Sequence, residues 1–368
     1  MLSVRPILQA SRGDPIRPQV QPVDLTLPAA VPLDPLMALR FAVIRLSALD
    51  GESWDAFARR CAAGLRSSSS RLQSIRLKAP LGHSLQLWEV YVPRADGPRK
   101  IAQCAVAHHR GRTIFYDGLQ VLPEALHLWP ALMKELLAAL GPGEFEYGWE
   151  WSLEPPREDE LSTMAGVRIL SVRAVDVHGV DFSRWPDWES YLRQVRKSVR
   201  YEAKIAEAKH PGLHLVHRRG WRALPSLATL NAARRGTLRR KGIPPKGFST
   251  FAAHLVDTLM GRDLVLVATM RQGRRSLAWF FGHRFGALTY YWSGAQSPRA
   301  FGASWRLLLE MLKQAYDRDP GGKFLMGFVD RPDPNAHRAE GLLNSREALR
   351  VSCWPTSRVR FAWSGEQV

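Results

Sequence analysis

The stretch from Tyr290 to Tyr316 constrains this chain most. It runs from an aromatic strand, Tyr290-Tyr291-Trp292, through a turn into an amphipathic helix with Trp305, Leu308, Leu312 and Tyr316 on one face. Within the turn, Arg299-x-x-Gly302-x-Ser304 falls where the strand has ended and the helix has not begun. Such a turn leaves backbone N–H groups pointing outward at the positive end of a helix. Gly302 carries no Cβ, so an anion such as a phosphate or diphosphate can approach the backbone there. A plain structural turn needs the same small residues, and the sequence leaves both readings open.

The rest of the chain extends this unit into a mixed α/β protein. Residues 1 to about 36 hold seven prolines and no helical or strand period, which predicts a disordered or loosely docked arm. A first unit, 37–155, opens with a short strand at Phe41–Ile44 and a helix carrying Trp54, Phe57, Cys61 and Leu65. Strands are predicted at Ser74–Leu77, Leu85–Val92, Ile101–Ala107 and Thr113–Tyr116, then a helix over Glu124–Leu140 and a strand over Glu146–Trp151. The polar, proline-broken run Leu153–Glu160 marks a boundary. The second unit, 172–365, opens with a helix whose apolar stripe is Trp188, Leu192, Val195 and Val199. Arg196, Arg200 and Lys204 form a basic stripe at i, i+4, i+8 on another face. A strand at Leu213–His217 and helices at Leu224–Arg240 and Phe251–Met260 follow. Strands come next at Leu264–Met270, Ser276–His283 and Ala287–Trp292, with turns at Gly273 and Gly286. After the turn and its helix comes a strand at Lys323–Val329. Both units thus repeat one order: helix, antiparallel strands, helix, strand.

Charge singles out one region. The formal net charge is +18, and between Arg184 and Pro245 fifteen Lys or Arg face four Asp or Glu. An anionic partner follows from that concentration: nucleic acid, an acidic membrane surface or a polyphosphate donor. Arg outnumbers Lys 42 to 10, which base composition can explain, but base composition does not explain the missing acids. Cys61, Cys104 and Cys353 are widely spaced and show no CxxC pair, which argues against zinc and a disulfide framework and for a reducing cytoplasm. No apolar run is long enough for a transmembrane helix, and no Walker loop, HExxH or Ser-His-Asp order is present.

In this order of elements the sequence resembles the tandem N-acetyltransferase-like proteins of the FemAB/CelD type, within the GNAT superfamily. Four features carry the likeness: Trp188-Glu189-Ser190-Tyr191-Leu192 before a basic helix with Arg196 and Arg200; Leu230-Asn231 with Arg234-Arg235 and a Lys241-Gly242-Ile243-Pro244 turn; the three-strand meander ending at Trp292; and Arg299-x-x-Gly302-x-Ser304, similar to the superfamily's pyrophosphate loop. The resemblance covers Arg184 to Val329, and the first half by architecture only. It departs where related proteins carry an Asp-Phe-Gly-like turn, here Phe324-Leu325-Met326-Gly327-Phe328, and where they carry a Tyr/Phe-Lys pair, here Gly341-Leu342-Leu343-Asn344-Ser345.

The resemblance implies two tandem GNAT-like domains, of α+β type with mixed sheets, and transfer of an acyl group from acyl-CoA to an amine without a metal. Aminoacyl-tRNA as donor, and a non-catalytic binding protein of the same fold, are the alternatives. Backbone amides of Phe301, Gly302, Ala303 and Ser304, with Arg299, would hold the donor's pyrophosphate. A backbone amide where the Tyr290–Trp292 strand leaves its neighbour would polarise the carbonyl. For the proton, His283, Tyr291 and Asp330 are the candidates, each with a structural alternative: a turn histidine, a packed tyrosine, a loop carboxylate. Tyr290 and Tyr291 point to opposite faces of their strand, so one of them can face a cleft. Between Tyr116 and Glu124 no Arg-x-x-Gly-x-Gly spacing occurs, which gives the first half a structural role.

Overall fold

The computed structural model describes residues 41–77, 83–109, 111–154, 157–240, 242, 248–261, 264–331 and 343–365. The expected N-terminal arm, the turn at Lys241–Pro244 except for Gly242, and Gly341-Leu342 lie outside them. The first half contains β1 (Ala42–Leu46), α1 (Gly51–Arg60), α2 (Ser69–Arg76), β2 (Ser84–Val92), β3 (Arg99–His109), β4 (Arg112–Phe115), β5 (Gln120–Val121), α3 (Trp129–Leu140) and β6 (Gly143–Tyr147). After α4 (Glu158–Ser162) come β7 (Val167–Asp181), α5 (Trp188–Gln194), α6 (Lys197–Lys209), β8 (Leu213–Arg218), α7 (Leu224–Arg240) and α8 (Phe248–Met260). The chain then builds β9 (Val265–Gln272), β10 (Arg275–Phe285), β11 (Leu288–Gln296), α9 (Ala303–Arg318), β12 (Lys323–Asp330) and β13 (Ser352–Trp363).

All of these strands join one mixed sheet in the order β1-β2-β3-β4-β6-β13-β7-β12-β11-β10-β9-β8, with β5 on β3. The repeat read from the sequence is visible in its topology. In each half an antiparallel meander ends in a strand, a helix crosses over, and the next strand returns parallel: β4 beside β6, and β11 beside β12. Between the halves lie β13 and β7, paired along their length from Ser352↔Gly179 to Trp363↔Val167. β13 also pairs with β6, so the two units expected from the sequence share one sheet. Strand alternation sets the layers around the second half. Ala278 and Phe280 pack with Tyr191, Val199, Leu307 and Phe324 under α5, α6 and α9. Trp279 and Phe281 pack with Leu227 and Leu230 of α7 on the other face.

Four expected elements differ. The first helix ends at Arg60, short of Leu65, which lies in a separate 3-10 turn, and the strand expected over Glu146–Trp151 ends at Tyr147, before Gly148 at φ +92°. Ser74–Leu77 is helical, being the end of α2. The Asp55 carboxylate takes the Ser69 amide at 2.6 Å and its hydroxyl at 2.9 Å, which caps the first turn from outside the local sequence. Leu72 and Ile75 then bury against Trp54, Leu87 and Ala105. The basic stripe is not on one continuous helix, because the chain breaks between α5 and α6, at Val195 and Arg196. There the Arg196 amide donates to the Ala348 carbonyl at 2.9 Å, and Arg350 Nε donates to the Gln194 carbonyl at 2.8 Å. These bonds replace the helical ones. Arg196 therefore caps α6, while Arg200 and Lys204 lie on it, and the apolar stripe still faces the core.

Candidate active site

The parallel pairing of β11 with β12 covers only Leu288↔Lys323, Thr289↔Phe324 and Tyr290↔Leu325. Beyond Tyr290 the two strands diverge. β11 stays paired with β10 as far as Gln296, through a bulge at Trp292, while β12 follows β7 to Asp330. The divergence opens a cleft of about 470 Å³, lined on the β11 side by Tyr291, Gly294 and Gln296 and on the β12 side by Met326. Glu202 of α6 and Thr237 of α7 also contribute to its lining.

The start of α9 forms one wall. Phe301, Gly302 and Ser304 line the cleft, and Ala303 is buried directly behind them. Ala300 takes the Ala303 amide and Gly302 takes the Arg306 amide, so the first-turn amides of Ser304 and Trp305 have no partner among the described residues. The Ser304 hydroxyl donates to Gln296 Oε1 at 2.6 Å, tying the helix start to the end of β11. Gly302 adopts φ +85°, and a Cβ there would overlap the carbonyl oxygen of Glu202 on α6. Its missing side chain thus lets α6 close against α9, a reason that needs no ligand. Arg299 is exposed and does not line the cleft.

Of the three candidates for proton transfer, only Tyr291 is in the cleft. Its ring stacks on Phe280 at 5.1 Å, and burial, opposed by Arg234, pushes its pKa up to about 12. It therefore keeps its proton at neutral pH. Tyr290, on the opposite face, packs with Trp149 and Trp151, and its hydroxyl accepts the Leu65 amide at 3.0 Å. It binds the two halves together. His283 pairs with Tyr290 across β10 and β11 and so shares the Tyr290 face. It is 1% exposed, with Nε2 3.6 Å from Asp257, which is itself ion-paired to Arg71 of α2. Burial holds its pKa below the usual range. Asp330 accepts Arg173 Nε at 2.7 Å and Nη2 at 2.9 Å, at the end of an ion ladder that runs through Glu150, Arg358 and Glu146 over the central strands. It lies outside the cleft lining.

Among the cleft residues that sequence reasoning missed is Arg346, on a short helix at 343–348 ahead of β13. The equivalent place in the first half, where β4 and β6 run parallel, holds a cavity of only about 80 Å³. Tyr147 fills it, its hydroxyl accepting the Leu119 amide at 3.1 Å.

Comparison with known proteins fits this geometry. Residues 193–323 match the acetyltransferase (GNAT) domain family. The crystal structure of FemX superposes with a TM-score of 0.61 at 14% identity, covering 87% of this chain and 98% of FemX. Over most of the chain the fold is a GNAT-like one resembling FemX, and it also matches a conserved protein of unknown function from Bacteroides thetaiotaomicron VPI-5482. That structure gives a TM-score of 0.53 at 10% identity, covering 88% of this chain and 100% of the other. No curated protein matches the sequence. The parted strands belong to the half that carries the GNAT match, and the α9 wall falls within the matched residues.

Proposed function

We propose that the protein is an N-acyltransferase that takes an acyl group from acyl-CoA and passes it to an amine in the β11–β12 cleft. The observation that carries this is the cleft itself: two strands parting beside a helix start with free amides, and a protonated tyrosine inside. In that reading, the Ser304 and Trp305 amides take the donor's diphosphate, and the edge of β11 beyond Tyr290 faces the donor's thioester arm. The amine nitrogen attacks the carbonyl carbon, a C–N bond forms and the C–S bond breaks. The nitrogen's proton leaves to water. With its pKa near 12, Tyr291 keeps its proton at neutral pH, so it can donate a hydrogen bond to the departing thiolate but does not act as base.

The basic region favours a second donor, aminoacyl-tRNA, which the FemAB resemblance also implies. Arg200 and Lys204 are exposed on α6, and Trp221 is 71% exposed beside Arg222, whose guanidinium lies 5.6 Å from its ring. Cations around an exposed aromatic ring suit a nucleic-acid backbone with unstacked bases. Among the described residues no helix is long and apolar enough to cross a membrane.

Calorimetric titration with acetyl-CoA and with aminoacylated tRNA, across a salt series, tests both. One acetyl-CoA per chain is expected. Tyr291→Phe should leave its affinity within about twofold while lowering kcat by roughly 10²-fold or more. Binding of tRNA alone, with a steep log–log salt slope weakened by reversing charge at Arg200 and Lys204, would move the reading to the second donor. Binding of neither would sink both.

A further inference from the structure

The cleft contains a buried cation that has no ion-pair partner among the described residues. Arg346 is 3% exposed. Its Nη2 donates to the Met326 carbonyl at 2.8 Å, while Nε and Nη1 have no hydrogen-bond partner among the described residues. Burial lowers its pKa to about 10. Around it the cleft offers Phe280, Tyr291, Met326 and Leu349. A guanidinium that has lost its water and gained one carbonyl is incompletely paired.

The strand beside it is shaped to admit it. The register of β12 against β7 slips between Leu325 and Phe328, immediately after Leu325, the last residue paired with β11. Gly327 within that bulge has φ +107°, and a Cβ there would stand 2.6 Å from Arg346 Nη2. The guanidinium therefore sits beside the point where the strands part.

We propose that Arg346 receives a carboxylate of the substrate beside the point where the strands part. The inference deepens the reading of this cleft as an acyl-transfer site and names its substrate class: an acyl group or an amine acceptor that bears a carboxylate near the reacting carbonyl. One guanidinium balances one negative charge. A phosphate monoester carries nearly two, which a single guanidinium does not balance. An acyl chain ending in a methyl group would leave the cation as unpaired as before.

Isothermal titration with matched ligands separates the two sources. Succinyl-CoA and butyryl-CoA have the same chain length and differ by a terminal carboxylate against a methyl group. β-Alanine and propylamine differ in the same way as acceptors, and are titrated with and without CoA. The expected result is a preference of about tenfold or more for the carboxylate member of one pair. It should be lost in Arg346→Met and partly kept in Arg346→Lys. The discriminating pair identifies which substrate carries the carboxylate. No discrimination in either pair by the wild-type protein overturns the proposal, whether or not the variants fold. So does a preference that survives Arg346→Met. If CoA and its thioesters fail to bind at all, the donor reading falls, and the amine pair without CoA still decides the arginine's role.

Discussion

His254 shows how much of this protein's behaviour rests on single buried groups. It is 5% exposed on α8, with its ring stacked on Phe281 at 4.2 Å. Burial first, then Arg234 and His283, lower its pKa to about 4 against the pull of Asp257. An unfolded chain takes up this proton as the pH falls through 6.5, and the folded chain does so only near 4. The contribution is therefore complete above pH 6.5 and lost on acidification, by up to about 1.4 kcal/mol per pH unit and roughly 3 kcal/mol in all. His283, also held low, adds in the same direction. Urea titrations at pH 7.5, 6 and 5 should show a shallower loss of stability in His254→Gln than in the wild type, and equal slopes would count against this account. At this scale the sequence was only partly legible. Tyr291 and the Phe301–Ser304 turn could be picked out because strand alternation and glycine spacing are local signals. Arg346 could not, since Asn344-Ser345-Arg346-Glu347 reads as a solvated helix and its burial depends on β11 and β12. His283 and Asp330 were plausible bases by residue type, but each has a partner far away in sequence, Asp257 beneath the sheet and Arg173 on β7.

Elements were more legible where their determinants are short-range. The hairpins at Gly273 and Gly286 and the crossover through α9 lie where turn residues and periodicity place them. α2 and the α5–α6 break escaped because a carboxylate on α1 and the segment after Ser345 supply the missing backbone partners. β13 escaped for a related reason: Pro355 interrupts an otherwise alternating run, and the strand is recognisable only beside β7. The contact between α6 and α9 gives a test at this scale. Gly302 combines a left-handed backbone with a Cβ position already occupied by the Glu202 carbonyl. Gly302→Ala should cost about 2–5 kcal/mol of stability, read as a lower urea midpoint with an unchanged slope. A variant as stable as the wild type that no longer binds acetyl-CoA would instead mean that the glycine serves a ligand.

At the scale of the whole molecule, the halves are tied together more tightly than a repeat requires. β13 pairs with β7 and β6, Tyr290 holds the Leu65 amide, and Arg71 of α2 pairs with Asp257 of α8. Hydrogen exchange under mildly destabilising urea should therefore release the β2–β3 and β9–β10 amides in one step. Release of one set well before the other would show two independent folding units. The position of β13 carries a consequence for synthesis. Of the strands described, it leaves the ribosome last, yet it fills the centre of the sheet. Until it emerges, the facing edges of β6 and β7 have no partner, and each offers its row of amides and carbonyls to any extended peptide nearby. A nascent chain of this protein can form its two meanders early, but it must finish from the middle. The interval before β13 appears is when it is most open to mispairing with its own copies, and most in need of a chaperone.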